Sequence, residues 1–221
     1  MKSSDLILET KSLAQQVYEY TKHMILSGEI KSGERIAEGR IANHFKISRT
    51  PIREAMRRLC EDGLIYLEPR CYAQVASLSH QEAEEIALIR SQLECLAVRL
   101  LCEKATQEDC FALERLAKSC VDFAEKEDWG NVFAMDSEFH LEIIKKTGNS
   151  TLYNILLKLD AKVQLLRLNI CVSHNIILHD IGQHFGIIEN IGLHNDKMAV
   201  RLMHDHILQH FESIIVISQP D

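Results

Sequence analysis

The segment MDSEFHLEIIKKTGN sets Asp136 and His140 four residues apart, so that on a helix a carboxylate and an imidazole face the same way. Such a pair chelates one metal ion when further donors join it. His184 and His206 fall in later helical stretches, and a helical bundle can bring them to its centre beside the first two. Three imidazoles and one carboxylate suit a borderline divalent ion, zinc, nickel or manganese, with room left for water or a ligand oxygen. Spacing alone does not choose the ion, and in a chain with 11 histidines an Asp and a His four apart also arise by coincidence. His174, His179, His194, His204 and His210 read as surface or capping residues.

A second pattern concerns charge. Arg49, Arg53 and Arg57 recur every four residues and share one helix face, while Ile52, Met56, Leu59 and Cys60 share another. A helix packed on one side and cationic on the other fits the major groove. There arginine donates two hydrogen bonds to guanine O6 and N7 or neutralises phosphate, and the free amides at the helix start suit a phosphate. The plainer reading of the stripe by itself is a solvated surface helix.

Both patterns need elements to hold them. In 221 residues, 46% hydrophobic content is enough for a core and excludes disorder, and 9 Gly with 3 Pro are too few for the turns of an all-β protein. No run of eighteen apolar residues and no leader-like N-terminus is visible, so a soluble cytoplasmic protein is expected. Seven cysteines (Cys60, Cys71, Cys95, Cys102, Cys110, Cys120 and Cys171) without a CxxC pair read as buried reduced thiols. The net charge of −7 excludes a generally basic nucleic-acid binder, but it is uneven. Residues 1–78 carry 12 Lys/Arg and 10 Asp/Glu, residues 79–221 carry 13 and 22. With Ser79 as a capping residue before acidic positions, the boundary falls near Ala76 to His80, giving domains 1–78 and 79–221.

Periodicity assigns the first domain three short helices: one through Leu13, Val17, Tyr20 and Met24 ended by Gly28, one over Ile36 to Phe45, and one over Ser48 to Asp62 closed by Gly63. A hairpin follows, Leu64 to Leu67 against Gln74 to Ser77, turning at Pro69 to Cys71. This is a winged helix-turn-helix. The second domain reads as about six helices: Ile86 to Leu101, Leu113 to Phe123, Trp129 to Lys146, Thr151 to Cys171, His179 to Ile191 and Asp196 to Ile215. The fold class is mainly α, a winged helix-turn-helix followed by an antiparallel all-helical bundle.

The stretch GERIAEGRIANHFKISRTPIREAMRRLCEDGLIYLEPR resembles the DNA-binding domain of the GntR family of bacterial transcription regulators, through Gly33, Glu38, Ile41, Ala42, Ile47, Ser48, Arg49, Thr50, Pro51, Arg53, Glu54, Ala55, Leu59 and Gly63. The resemblance implies that Arg49, Thr50 and Arg53 touch DNA. Two positions depart from the family pattern. Gly39 stands where an arginine is common, leaving Arg40 as the nearest substitute. At the wing, Cys71 and Tyr72 occupy the usual arginine and glycine positions, which leaves Arg70 as the available cation and predicts a different tip, since tyrosine would be strained at positive φ.

Asp136, Phe139, His140, Gly148, Asn149, His184 and His206 follow, in order and spacing, the ligand-binding domain of the FadR-like branch of that family. That resemblance implies a divalent metal held by Asp136, His140, His184 and His206 and, through it, a small carboxylate effector. Arg90, with Glu94 one turn later, matches the branch's first bundle helix and is an effector clamp or half of an internal salt bridge. Asn149 and Arg167 are further cavity candidates, although Asn149 also suits a helix cap. Gln183 replaces a glutamate common before the third ligand. Altogether the resemblance spans roughly Leu13 to Phe211 and implies a homodimer on double-stranded operator DNA, with no membrane partner and no enzymatic activity. Two alternatives keep the metal: a regulator that senses the ion itself, and a metal-dependent hydrolase, which lacks an HExxH arrangement and a placed general base.

Overall fold

The computed structural model describes residues 11–68, 72–167 and 174–217. Arg70, Cys71 and Cys171, and with them the tip of the wing, lie outside the described residues. Backbone packing divides the chain into two compact units, Met1–Ser77 and Leu78–Asp221.

The first unit has three helices and a hairpin: α1 (Leu13–Leu26), α2 (Glu38–Phe45), α3 (Arg49–Glu61), β1 (Ile65–Glu68) and β2 (Tyr72–Val75). α1 packs on α3, and Val17 and Ile25 of the one and Ile52, Met56 and Leu59 of the other are all buried. The turn between α2 and α3 runs through Lys46 in the left-handed region, φ 55°. Gly63, φ 73°, ends α3 while Leu64 N–H donates to Leu59 O at 3.0 Å. β1 and β2 pair antiparallel with Ile65 opposite Val75 and Glu68 opposite Tyr72. Ile36, expected at the start of the second helix, belongs instead to the wing. Its N–H donates to Ala73 O at 2.8 Å, and Val75 N–H donates to Glu34 O at 2.9 Å, so residues 33–36 form a short extra edge on β2. This pairing spans about forty residues of chain, and helical periodicity carries no information about it.

The second unit is a bundle of α4 (His80–Cys102), α5 (Gln107–Ala124), α6 (Trp129–Lys146), α7 (Ser150–Arg167), α8 (His174–Gly192) and α9 (Asp196–Ile217). α8 begins five residues before the expected His179. α4 runs along α9, α5 packs on α6 and α8, and α7 lies against α4 and α6. Leu101, Phe139, Ile143, Ile187 and Met203 centre the core. Capping boxes start α4 at Ser79 with Glu82 and α5 at Thr106 with Asp109. Cys95, Cys102 and Cys120 are buried free thiols, whereas Cys60 and Cys110 are only half-buried; burial pushes the Cys120 thiol up to about 12.

Asp109 does two jobs: it accepts from Thr106 N–H at 2.9 Å and meets Lys146 Nζ at 2.8 Å. The bonds from Lys146 and Thr106 bring its carboxyl down to about 2. A carboxylate depressed on folding contributes stability above its unfolded value near 4, and that contribution is lost as pH falls towards 2. Asp109→Asn is therefore expected to lose about 1–2 kcal/mol at neutral pH. By chemical denaturation the variant and parent should converge near pH 2.

Candidate metal centre and nucleic-acid interface

Four donors meet at the middle of the bundle. α6 supplies Asp136 and His140 one turn apart, α8 supplies His184 and α9 supplies His206, with exposures of 5%, 2%, 0% and 3%. One donor atom from each lies within 4.8 Å of all the others. His206 Nε2 is 3.2 Å from His140 Nε2, and His184 Nε2 is 3.2 Å from Asp136 Oδ1. His140 Nε2 lies 3.7 Å from the same oxygen. Donors about 2.1 Å from a shared ion stand roughly 3.0–3.4 Å apart at neighbouring vertices, so most of these edges are already of coordination size.

The hydrogen bonding shows which nitrogens face inward. His140 Nδ1 bonds Glu94 of α4, whose other oxygen accepts from Arg90 Nε. Burial pushes Glu94 up, but Arg90 and His140 more than offset this and leave it at about 2, an ionised acceptor. His140 Nδ1 therefore carries the proton and Nε2 presents its lone pair to the cluster. His206 Nδ1 lies 2.9 Å from Gln183 Oε1, which likewise leaves its Nε2 facing inward. Two lone pairs 3.2 Å apart repel unless a cation or proton lies between them. His184 is stacked on Phe139 with ring centroids 4.0 Å apart, and neither of its nitrogens is hydrogen-bonded, Nε2 being close to Asp136 but off the bonding line. A fully buried imidazole without a hydrogen bond is costly. The donor set thus fits a divalent transition ion.

Electrostatics favour ligation at His184 and Asp136 and protonation at His140. Burial pulls His184 down, which keeps it neutral and able to ligate. Burial also works against charge on Asp136, but Arg167, bonded to its Oδ2, and His140 hold its carboxyl well below the usual range. For His140, Glu94 and Asp136 outweigh burial and raise the imidazole.

The structure places the remaining effector-side residues unequally. Arg90 is buried beside Glu94, and among the described residues its two terminal nitrogens have no partner. The salt bridge and the clamp are thus compatible, because they use different edges of one guanidinium. Arg167 is buried but faces Asp136 and Phe133. Asn149 is not brought to the cluster: it is exposed, and its Oδ1 accepts from Leu152 N–H at 3.0 Å as the cap of α7. The capping reading describes it.

In the first unit, α3 exposes Arg49, Thr50 and Arg53 while Ile52, Ala55, Met56 and Leu59 are buried. Ser48 stands at the N-cap without a side-chain capping bond. Arg57 is turned to Glu61 at 3.6 Å, and Arg40 is exposed on α2. A groove between α3 and the hairpin is lined by Arg49, Arg53, Glu38, Glu68 and Tyr72. Tyr72 has no positive φ; it opens β2, and the Arg35 guanidinium lies 3.8 Å from its ring centroid. Tyr72 thus avoids the positive φ that would strain it, and Arg35 is a cation of the wing that the sequence does not single out.

A winged helix-turn-helix with an exposed arginine face, followed by an all-helical unit with a buried donor cluster, is the build of a DNA-binding transcription regulator. The chain belongs to the GntR family of bacterial regulators and carries an FCD domain. The family model for bacterial regulatory proteins of the gntR family matches residues 13–71, and the FCD domain matches residues 85–209. The chain is 31% identical over 197 residues to the uncharacterized HTH-type transcriptional regulator YdhC of Bacillus subtilis, covering 89% of this chain and 86% of that one. It is 26% identical to the HTH-type transcriptional repressor RspR of Escherichia coli, covering 95% and 92%. The solved structure of E. coli McbR/YncC shares the fold with a TM-score of 0.82 at 22% identity, over 93% and 98% of the two chains. These relatives are regulators rather than enzymes, which removes the hydrolase reading. Among the described residues, no helix is long and apolar enough to cross a membrane.

Proposed function

We propose that the chain is a cytoplasmic, homodimeric regulator whose operator affinity is set by a small carboxylate held beside a divalent metal. The observation that carries this reading is the inward-facing donor set, in which the buried His184 has no hydrogen bond and the Nε2 atoms of His140 and His206 face one another. Asp136, His140, His184 and His206 would hold the ion, which when bound supplies a positive Lewis-acidic point for a carboxylate oxygen. Arg90 offers the second point of attachment. Its terminal nitrogens take the anion in a planar fork while Nε stays on Glu94, which in turn orients His140.

Arg49, Thr50 and Arg53 are the proposed base and phosphate contacts, with Arg40 and Arg70 as flanking cations. A net charge of +2 over residues 1–78 supports only weak binding by one unit, and pairing two copies doubles the contacts. α4 exposes Leu88, Ile89 and Leu96 on one face, apolar surface that a second copy would cover. Effector binding then shifts the population between dimer arrangements that match or miss the operator spacing.

The test is metal analysis of protein purified without chelator, followed by titration of the chain's own upstream promoter fragment with zinc and a panel of hydroxy acids and dicarboxylates. Expected are a near-stoichiometric transition metal and a carboxylate-dependent change in DNA affinity that His140→Ala removes. Protein without metal, whose DNA affinity ignores every acid, overturns the reading.

A further inference from the structure

We infer that Gln183 is a positioning residue for His206 and sets the metal affinity of this chain; the inference rests on the reading of the donor cluster as a metal centre. A ligating imidazole needs its other ring nitrogen fixed, and the strength of that second bond tunes the donor. The three imidazoles are treated differently here. His140 Nδ1 meets the ionised Glu94, His206 Nδ1 meets the neutral amide of Gln183 at 2.9 Å, and His184 Nδ1 meets nothing.

The orientation of the Gln183 amide follows from its own partners. Its Nε2 donates to Gln209 Oε1 at 2.7 Å and lies 3.3 Å from His179 Nε2, so both amide hydrogens have acceptors on the outer side. Oε1 is thereby turned to His206, which must bring a proton on Nδ1 and keep the Nε2 lone pair for the cluster. An amide oxygen polarises that proton less than a carboxylate does, so His206 is a weaker donor than His140. Gln183 also sits one residue before His184 on α8 and bonds across to α9, so a single side chain fixes the spacing between two of the four donors.

The measurement is zinc affinity of the full chain by competition with a chromophoric chelator, for the parent, Gln183→Glu and Gln183→Leu. Expected is a ladder: Glu tighter than parent by about tenfold, and Leu weaker by about 10–100-fold. An added carboxylate attracts a nearby cation whatever its contacts, so the ladder is read together with the His206 tautomer, which a contact that merely holds α8 to α9 would not set. Nitrogen-15 spectra of the chelated protein supply the second readout. The parent should show His206 protonated on Nδ1, and Gln183→Leu should lose that preference. Any other order of affinities overturns the role of Gln183, whereas a parent that binds no zinc overturns the underlying metal reading instead.

Discussion

Arg49→Ala and Arg53→Ala should each remove tight operator binding while leaving the melting of the first unit unchanged. Both side chains are exposed on α3, and the helix is held from its other face by Ile52, Met56 and Leu59 against α1, so truncation touches no packing. A bidentate arginine contact to a base is worth about 1–3 kcal/mol, and in a twofold complex each substitution is counted twice. The two possible roles separate by salt dependence. Loss of a phosphate contact weakens all sequences alike and lowers the slope of log affinity against log salt by roughly 0.9 per contact. Loss of a base contact leaves the slope alone and relaxes preference at one position of each half-site. Arg57→Ala is the internal control, because Arg57 is already turned to Glu61 at 3.6 Å, and a modest effect is expected. If anisotropy titrations gave parental affinity for both Arg49→Ala and Arg53→Ala, α3 would not be the recognition helix.

What sequence could reveal follows the range of the interactions. The arginine face of α3 and the Asp136/His140 pair are properties of one helical period, and both stand in the structure as spacing and side-chain type require. His184 and His206 carry no such local signal; family resemblance brought them beside the first pair, and the fold does so through helices more than forty residues away. Side-chain partners chosen in three dimensions were harder to foresee. Arg90 and Glu94 could be paired by their one-turn spacing, but the second bond of Glu94, to His140 of α6, depends on how α4 crosses that helix. The bond of Arg167, a cavity candidate, to Asp136 depends on how α7 meets α6. The edge made by residues 33–36 and the stack of Arg35 on Tyr72 likewise depend on strand pairing across the first unit. Gln183 looked like the loss of a charge, and its bond to His206 depends on the closure of α8 onto α9.

Asp136→Asn separates the structural and ligating duties of one carboxylate. Asp136 is buried, accepts from Arg167 through Oδ2 and turns Oδ1 towards His140 and His184. Asparagine keeps the shape but removes the charge facing a buried guanidinium. Breaking a buried ion pair in this way costs about 3–5 kcal/mol, because the remaining charge stays out of water. In chelator, calorimetry of the variant should therefore show the bundle melting roughly 10 °C or more below the parent. Zinc in excess should raise the parent's transition, since a ligand that binds only the folded state adds stability with the logarithm of its concentration. It should scarcely move the variant's transition, because an amide oxygen is a weak replacement for the one anionic donor among three imidazoles. His206→Ala provides the contrast, losing zinc stabilisation without disturbing the Asp136 pair. A variant that melts with the parent in chelator would mean that Asp136 does not sustain Arg167, and one that still responds fully to zinc would remove Asp136 from the metal centre.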